Sequence, residues 1–234
     1  MSLRYLDALA YDDGGSYLAP IGLRMQTFGK ERLGRRDVVL KRCTDVALAL
    51  AGLALLALPM LVVSGMIRLT SPGPAVFSQE RIGLAGRRFR MLKFRTMRHQ
   101  AGSSPCLQAV RHDPRVTWFG ALLRHTSFDE SPQLLNVLMG SMSIVGPRPH
   151  APGTCVAGRP FETISSRYAA RHCVKPGITG LAQVRGWRGE TDTEEKLLRR
   201  VDSDLEYIAT WSPGNDVLII CRTLVEVLRM RNAY

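Results

Sequence analysis

Two adjacent carboxylates, Asp129 and Glu130, carry the most chemistry in this chain. They lie in the run Arg124-His125-Thr126-Ser127-Phe128-Asp129-Glu130-Ser131-Pro132-Gln133-Leu134-Leu135-Asn136. A hydroxyl residue ahead of an acid pair reads as a helix start, where free backbone N–H groups favour anions. Neighbours on a helix point about 100° apart, so the two acids cannot share one task. One can attack as a nucleophile while the other holds a metal. The plainer alternative is an acid-decorated helix N-terminus that complements the helix dipole. Further on, Gly146-Pro147-Arg148-Pro149 fixes the backbone on both sides of Arg148. A guanidinium placed in advance suits a phosphate.

These groups need elements to hold them. Phe89 to Arg95 reads as a basic, aromatic strand, and Ala75 to Gln79 as a shorter one. Turns at Ser71-Pro72-Gly73-Pro74 and around Gly83 and Gly86 make the two an Arg-rich β-hairpin. Val116 to Arg124 predicts a short amphipathic helix whose Trp118 and Phe119 suit either a membrane interface or the core. His99 to Pro114 is a polar linker, Tyr168 to Val174 a basic helical stretch, Lys175 to Gly180 a turn, and Gln183 to Glu190 irregular. Thr191-Asp192-Thr193-Glu194 opens a helix with capping-box character. Ser212-Pro213 opens the last helix, with a broad apolar face from Val217 to Leu228.

A greasy stretch sets the cellular context. Val46 to Ile67 holds no charged residue and would reach about 33 Å as a helix, close to the thickness of a bilayer's hydrocarbon core. Lys41 and Arg42 precede it; Arg68, Arg81, Arg87, Arg88, Arg90, Lys93 and Arg95 follow. Basic residues prefer the cytoplasmic side, so a helix that enters, bends at Pro59 and leaves by the same face satisfies both flanks. Ser64 is a candidate partner for backbone groups freed at the bend. The predicted fold is α+β and mostly helical: a re-entrant membrane helix, a small β-hairpin and amphipathic interfacial helices. Residues 1–37 form an arm, 38–69 the re-entrant helix, and 70–234 a cytosolic catalytic domain.

The net charge of +12 fits nucleic acid, anionic lipid or phosphorylated substrates, and the membrane segment favours the last two. The five cysteines show neither zinc spacing nor a compact disulfide framework and read as reduced thiols. No GxxxxGK[ST], GxGxxG after a strand, HExxH or GxSxG occurs, which argues against P-loop ATPases, zincins and α/β-hydrolases.

Several motifs in order resemble the bacterial sugar transferases, the monotopic phosphoglycosyl transferases that act on polyprenyl phosphate. They are the membrane segment after Lys41-Arg42, Ser71-Pro72-Gly73-Pro74, Lys93-Phe94-Arg95-Thr96-Met97, Asp113-Pro114-Arg115-Val116-Thr117, Ser127-Phe128-Asp129-Glu130, Gly146-Pro147-Arg148-Pro149 and Lys175-Pro176-Gly177-Ile178-Thr179-Gly180. The likeness spans roughly residues 38 to 230. It implies transfer of a sugar 1-phosphate from a UDP-sugar, such as UDP-glucose or UDP-galactose, to undecaprenyl phosphate with release of UMP. Asp129 would be the nucleophile of a covalent phosphosugar intermediate and Glu130 the Mg²⁺ ligand. Lys93, Arg124, Arg148 and Arg171 would surround the phosphates, and Asp204 would be a further acid of the site. Gly186 to Thr193 and Pro149-His150-Ala151 are most similar to the undecaprenyl-phosphate glucose phosphotransferase branch of exopolysaccharide assembly. Ser131, Arg185 and Ser212 to Asn215 depart from the family pattern. The expected setting is the cytoplasmic face of a bacterial inner membrane, with no nucleic-acid partner and room for a homo-oligomer. The rival readings are a catalytically silent scaffold of a polysaccharide assembly complex and a basic membrane-associated nucleic-acid binder.

Overall fold

A computed structural model describes residues 34–98 and 113–228. The arm up to residue 33 and most of the polar linker, residues 99–112, lie outside the described residues. The greasy stretch is one helix, α1 (Arg35–Thr70), with Pro59 inside it. The helix continues on both sides of the proline. Pro59 has no N–H to offer the Leu55 carbonyl, and the Ser64 hydroxyl does not serve that oxygen, since it donates to the Met60 carbonyl at 2.7 Å. Leu55 and Leu58 are 78% and 71% exposed, as side chains facing lipid would be.

Strands β1 (Val76–Ile82) and β2 (Arg88–Phe94) form the expected antiparallel hairpin, in register from Val76 opposite Phe94 to Ile82 opposite Arg88. Next comes α2 (Trp118–Thr126), capped by the Thr117 side chain, which accepts from Gly120 N. Its aromatics divide the two readings made for them: Phe119 is in the core with Ile67, Phe94 and Leu123, while Trp118 is 70% exposed. Gly120 has to be glycine, because a Cβ there would collide with the Thr96 backbone. That close approach sets α2 against the end of β2.

After α3 (Gln133–Leu138), β3 (Ser143–Val145) pairs in parallel with a later strand. The small hairpin β4 (Cys155–Val156) and β5 (Arg159–Pro160) leads to α4 (Phe161–Ile164) and a 3₁₀ stretch, Tyr168–Cys173. The partner of β3 is β6 (Gly177–Thr179), at the place where the sequence suggests only a turn. Gly146 and Gly177 face each other there so closely that neither has room for a side chain. Two glycines in a short ladder carry no periodicity, so the pattern hides the strand. Helix α5 (Leu181–Val184) and the two long amphipathic helices α6 (Glu194–Ala209) and α7 (Pro213–Leu228) are the last described elements. Thr193 caps α6 by accepting from Lys196 N.

Helix α1 is fastened to this domain at both ends. Toward its start, Arg42 donates to the Val137 and Leu138 carbonyls at 2.6 and 2.8 Å. Asp45 Oδ1 accepts from Ser143 Oγ and Ile144 N, both at 3.0 Å, and Lys41 bridges Asp45 and Asp216. Ala49 is buried with Met91, Val137 and Met142. Toward its end, Ile67 is buried with Phe94, Phe119 and Leu123, and Arg95 donates to the Ser71 carbonyl at 2.7 Å.

Candidate active site

Asp129 and Glu130 lie in a single 3₁₀ turn, Phe128–Glu130. This corrects the expected capped α-helix start. Ser127 is left-handed (φ 60°, ψ 14°), closes α2 and makes no side-chain cap, and α3 begins only after Pro132. Ser127 is not a glycine, so its positive φ is strained, as backbones at functional sites often are. Phe128 fastens the turn by lying parallel to Phe94, with ring centroids 6.2 Å apart. Both carboxylates are buried.

The two acids have different surroundings. Glu130 Oε1 accepts from Lys93 Nζ at 2.8 Å and from Arg148 Nη2 at 2.6 Å; Oε2 has a longer contact from Arg148 Nη1 at 3.3 Å. Burial alone would raise its pKa, but Arg148 and Lys93 hold the carboxyl well below the usual range. Asp129 accepts no hydrogen bond among the described residues. Burial pushes its carboxyl up, and the pull of Lys93, Arg124 and Arg148 does not undo this. Two neighbours in sequence thus become a firmly ionised acid in a cationic clamp and a desolvated carboxylate without donors. Burial also draws the Lys93 ammonium below its ordinary range, against the pull of Glu130.

Lys93 is held by a strand that Asn136 completes. The Asn136 amide accepts from Leu92 N at 2.9 Å and donates to the Arg90 carbonyl at 2.8 Å, standing in for the next strand beside β2. Arg148 is held by its loop. Gly146 N donates to the Thr179 carbonyl and Gly177 N to the Pro147 carbonyl, both at 2.9 Å. Arg171 Nη2 donates to the Arg148 carbonyl at 2.7 Å, and Ile82 N to the His150 carbonyl at 3.0 Å.

Among the expected phosphate-binding residues, Lys93 and Arg148 converge on Glu130. Arg124 is near enough to act on Asp129, and its Nε donates to Thr96 Oγ1 at 3.1 Å. Arg171 and Asp204 stand elsewhere. Arg171 is 2% exposed and donates through Nε and Nη2 to Asp204 Oδ2 at 3.0 and 2.6 Å. Its Nη1 lies 2.6 Å from His150 Nδ1. Burial opposes the Arg171 charge, but Asp204 holds the guanidinium above its ordinary range. This pair is the support behind Arg148; neither member bonds to Asp129 or Glu130.

Sequence reasoning missed Arg188, which donates to Ser127 Oγ and whose charge reaches Glu130. The buried Arg200 grips the loop around it, donating to the Trp187 and Gly189 carbonyls. Positive φ at Gly186 and Gly189 bends that loop, and this was the available signal: an Arg between two glycines. Arg185, one of the departures, forms a bidentate pair with exposed Glu206, with both bonds 2.6 Å.

Mg²⁺ takes one or two carboxylates and completes its shell with phosphate oxygens and water. The donor set fits that habit: the Asp129 carboxylate has no donors, and Glu130 Oε2 has one long contact. Among the described residues no cluster of three or more acids, histidines or cysteines forms an all-protein cage.

The chain is similar to proteins already known. The description of bacterial sugar transferases matches residues 36–230. The chain is 45% identical over 196 residues to the UDP-glucose:undecaprenyl-phosphate glucose-1-phosphate transferase of Escherichia coli (strain K12), covering 84% of this chain and 42% of that protein. A protein of the same name from Caulobacter vibrioides is 47% identical over 194 residues, covering 83% and 72%. The Galactosyl transferase CpsE of Streptococcus agalactiae is 35% identical over 236 residues, covering 95% and 50%. The chain thus spans about two fifths of the Escherichia coli relative. With its buried acid pair, its clamped Arg148 and a match over most of its length, the chain belongs to the bacterial sugar transferase family.

Proposed function

We propose that this chain transfers a sugar 1-phosphate, glucose 1-phosphate first among candidates, from a UDP-sugar to undecaprenyl phosphate and releases UMP. The observation that carries the reading is the asymmetry of the acid pair. Glu130 is neutralised by Lys93 and Arg148, while Asp129 is buried, without donors, and free to attack. A carboxylate stripped of water and donors is a better nucleophile than a hydrogen-bonded one.

In the first step an Asp129 oxygen bonds to the phosphorus that bears the sugar. The bond from that phosphorus to the bridging oxygen breaks, and its electron pair leaves with UMP. In the second step a phosphate oxygen of undecaprenyl phosphate attacks the same phosphorus. The bond to Asp129 breaks, which restores the carboxylate and yields an undecaprenyl diphosphate sugar. Lys93, Arg124 and Arg148 bind and orient the diphosphate, whose charge they match. Glu130, with Asp129 beside it, would hold Mg²⁺, which when bound neutralises phosphate charge so that an anion can approach. Arg171 and Asp204 keep Arg148 in place.

The acceptor is a lipid, and α1 brings the site to it. From Gly52, where a Cβ would press on Leu134, to buried Ile67 is about 22 Å of helix, short of the ~30 Å hydrocarbon core. One domain grips both points, so α1 enters and leaves by one face. The basic flanks make that face cytoplasmic. The test is UMP release by the full chain in lipid, with undecaprenyl phosphate and a panel of UDP-sugars. Turnover by wild type and none by Asp129→Asn is expected; normal turnover by Asp129→Asn overturns the assignment.

A further inference from the structure

In the turn after α3, two cations crowd one glycine beside the first turns of α1. A Cβ built on Gly140 would lie 3.7 Å from both Arg42 Nη2 and Lys175 Nζ. Gly140 itself has φ +83°, so the turn after α3 opens a shallow notch between them. Arg42 gives two of its five N–H groups to the Val137 and Leu138 carbonyls and keeps the rest. The Lys175 side chain makes no hydrogen bond or ion pair among the described residues. Asp45, the carboxylate whose charge reaches it, is already taken by Lys41, Ser143 and Ile144. Partial burial and the charges of Arg42 and Lys41 draw the Lys175 ammonium below its ordinary range, against the pull of Asp45.

The elements that carry the notch also expose apolar side chains. Met139, next to Gly140 in sequence, is 65% exposed, and Leu135 on α3 and Leu48 on α1 are exposed too. One helical turn beyond Arg42, the uncharged run of α1 begins at Val46. Two cations without an ion-pair partner, set one helical turn before a greasy helix begins and on elements that expose apolar side chains, form a place for a charged headgroup whose tails run along α1.

We propose that Arg42 and Lys175, across Gly140, form a binding site for the phosphate of an anionic phospholipid. The site is separate from the acid pair and holds the domain at a fixed depth. Bilayer phospholipid is favoured over a soluble phosphate because the elements that carry the notch expose apolar side chains and the uncharged run of α1 begins one helical turn beyond Arg42. The inference rests on the reading of α1 as a membrane segment and does not require the transfer reaction.

The test is native mass spectrometry of the full chain released from nanodiscs of equal parts phosphatidylglycerol and phosphatidylcholine. Wild type should retain phosphatidylglycerol in preference, and Lys175→Gln should lower that preference about fivefold, the usual worth of one cation near an anionic surface. Lys175→Arg should keep it. The Lys175 side chain makes no hydrogen bond among the described residues, so Lys175→Gln should melt as wild type does; Arg42 also clamps α3 and is the less clean position. Equal retention of both lipids by wild type, an unchanged preference in Lys175→Gln, or loss of the preference in millimolar inorganic phosphate would each overturn the inference. Resistance to carbonate extraction separates the two readings. A chain that stays in the membrane without preference sinks only this site, whereas one that washes off sinks the membrane reading.

Discussion

Removing the Asp204 carboxylate should cost the protein much of its stability. Asp204 and Arg171 are each 2% exposed and joined by two bonds of 3.0 and 2.6 Å. Asp204→Ala leaves a buried guanidinium without its counter-charge, which costs about 3–5 kcal/mol. For a chain of this length that lowers the melting temperature by about 6–20 °C. Replacing both partners by apolar residues, Asp204→Leu with Arg171→Met, should recover most of the loss, because no charge is then left buried. Turnover should not recover. Arg171 Nη2 also holds the Arg148 carbonyl at 2.7 Å, and misplacing a binding group by about 1 Å can cost 10²-fold in rate. Thermal unfolding followed by tryptophan fluorescence, beside UMP release, reads both quantities. A single variant melting within about 2 °C of wild type would refute the stability argument. A double variant with full activity would refute the positioning argument.

Two further outcomes follow from the site. Burial raises the folded-state pKa of Asp129 above 3.8, so folding favours its protonated form, and the group's contribution to stability falls as pH rises from 3.8 through the raised value. Asp129→Asn should therefore melt above wild type at pH 7, with the difference closing below pH 3.8; an Asn variant that melts lower at pH 7 would contradict this. Gly146→Ala would press a methyl into the Lys175 carbonyl and Gly177 N, backbone atoms that cannot yield. It should lose about 1–3 kcal/mol in stability and most UMP release, checked by the same two measurements, and an unaffected variant would show that the loop holding Arg148 is soft.

What could be read from the sequence was local. The β1–β2 hairpin, α6 and α7 announce themselves through turn residues, caps and period. Asp129, Glu130 and Arg148 stand in short runs whose chemistry is visible without a fold. The hidden part is long-range. Arg171 looks like another phosphate ligand until Asp204, thirty-three positions away, is seen to occupy it. Asn136 gives no sign that it finishes a strand forty-four residues earlier. Arg188 sits in an irregular run and acquires meaning only when Arg200 folds that loop over Ser127. Parallel pairing of β3 with β6 depends on two glycines meeting face to face, which no pattern within either segment records.

The central claim is that Asp129 becomes covalently joined to phosphorus. Intact-protein mass spectrometry of the full chain, mixed with a UDP-sugar and acid-quenched before undecaprenyl phosphate is added, tests it most directly. The account predicts a mass gain of one sugar phosphate, mapped by peptide fragmentation to Asp129 and absent in Asp129→Asn. An unmodified Asp129 in enzyme that is releasing UMP would contradict it.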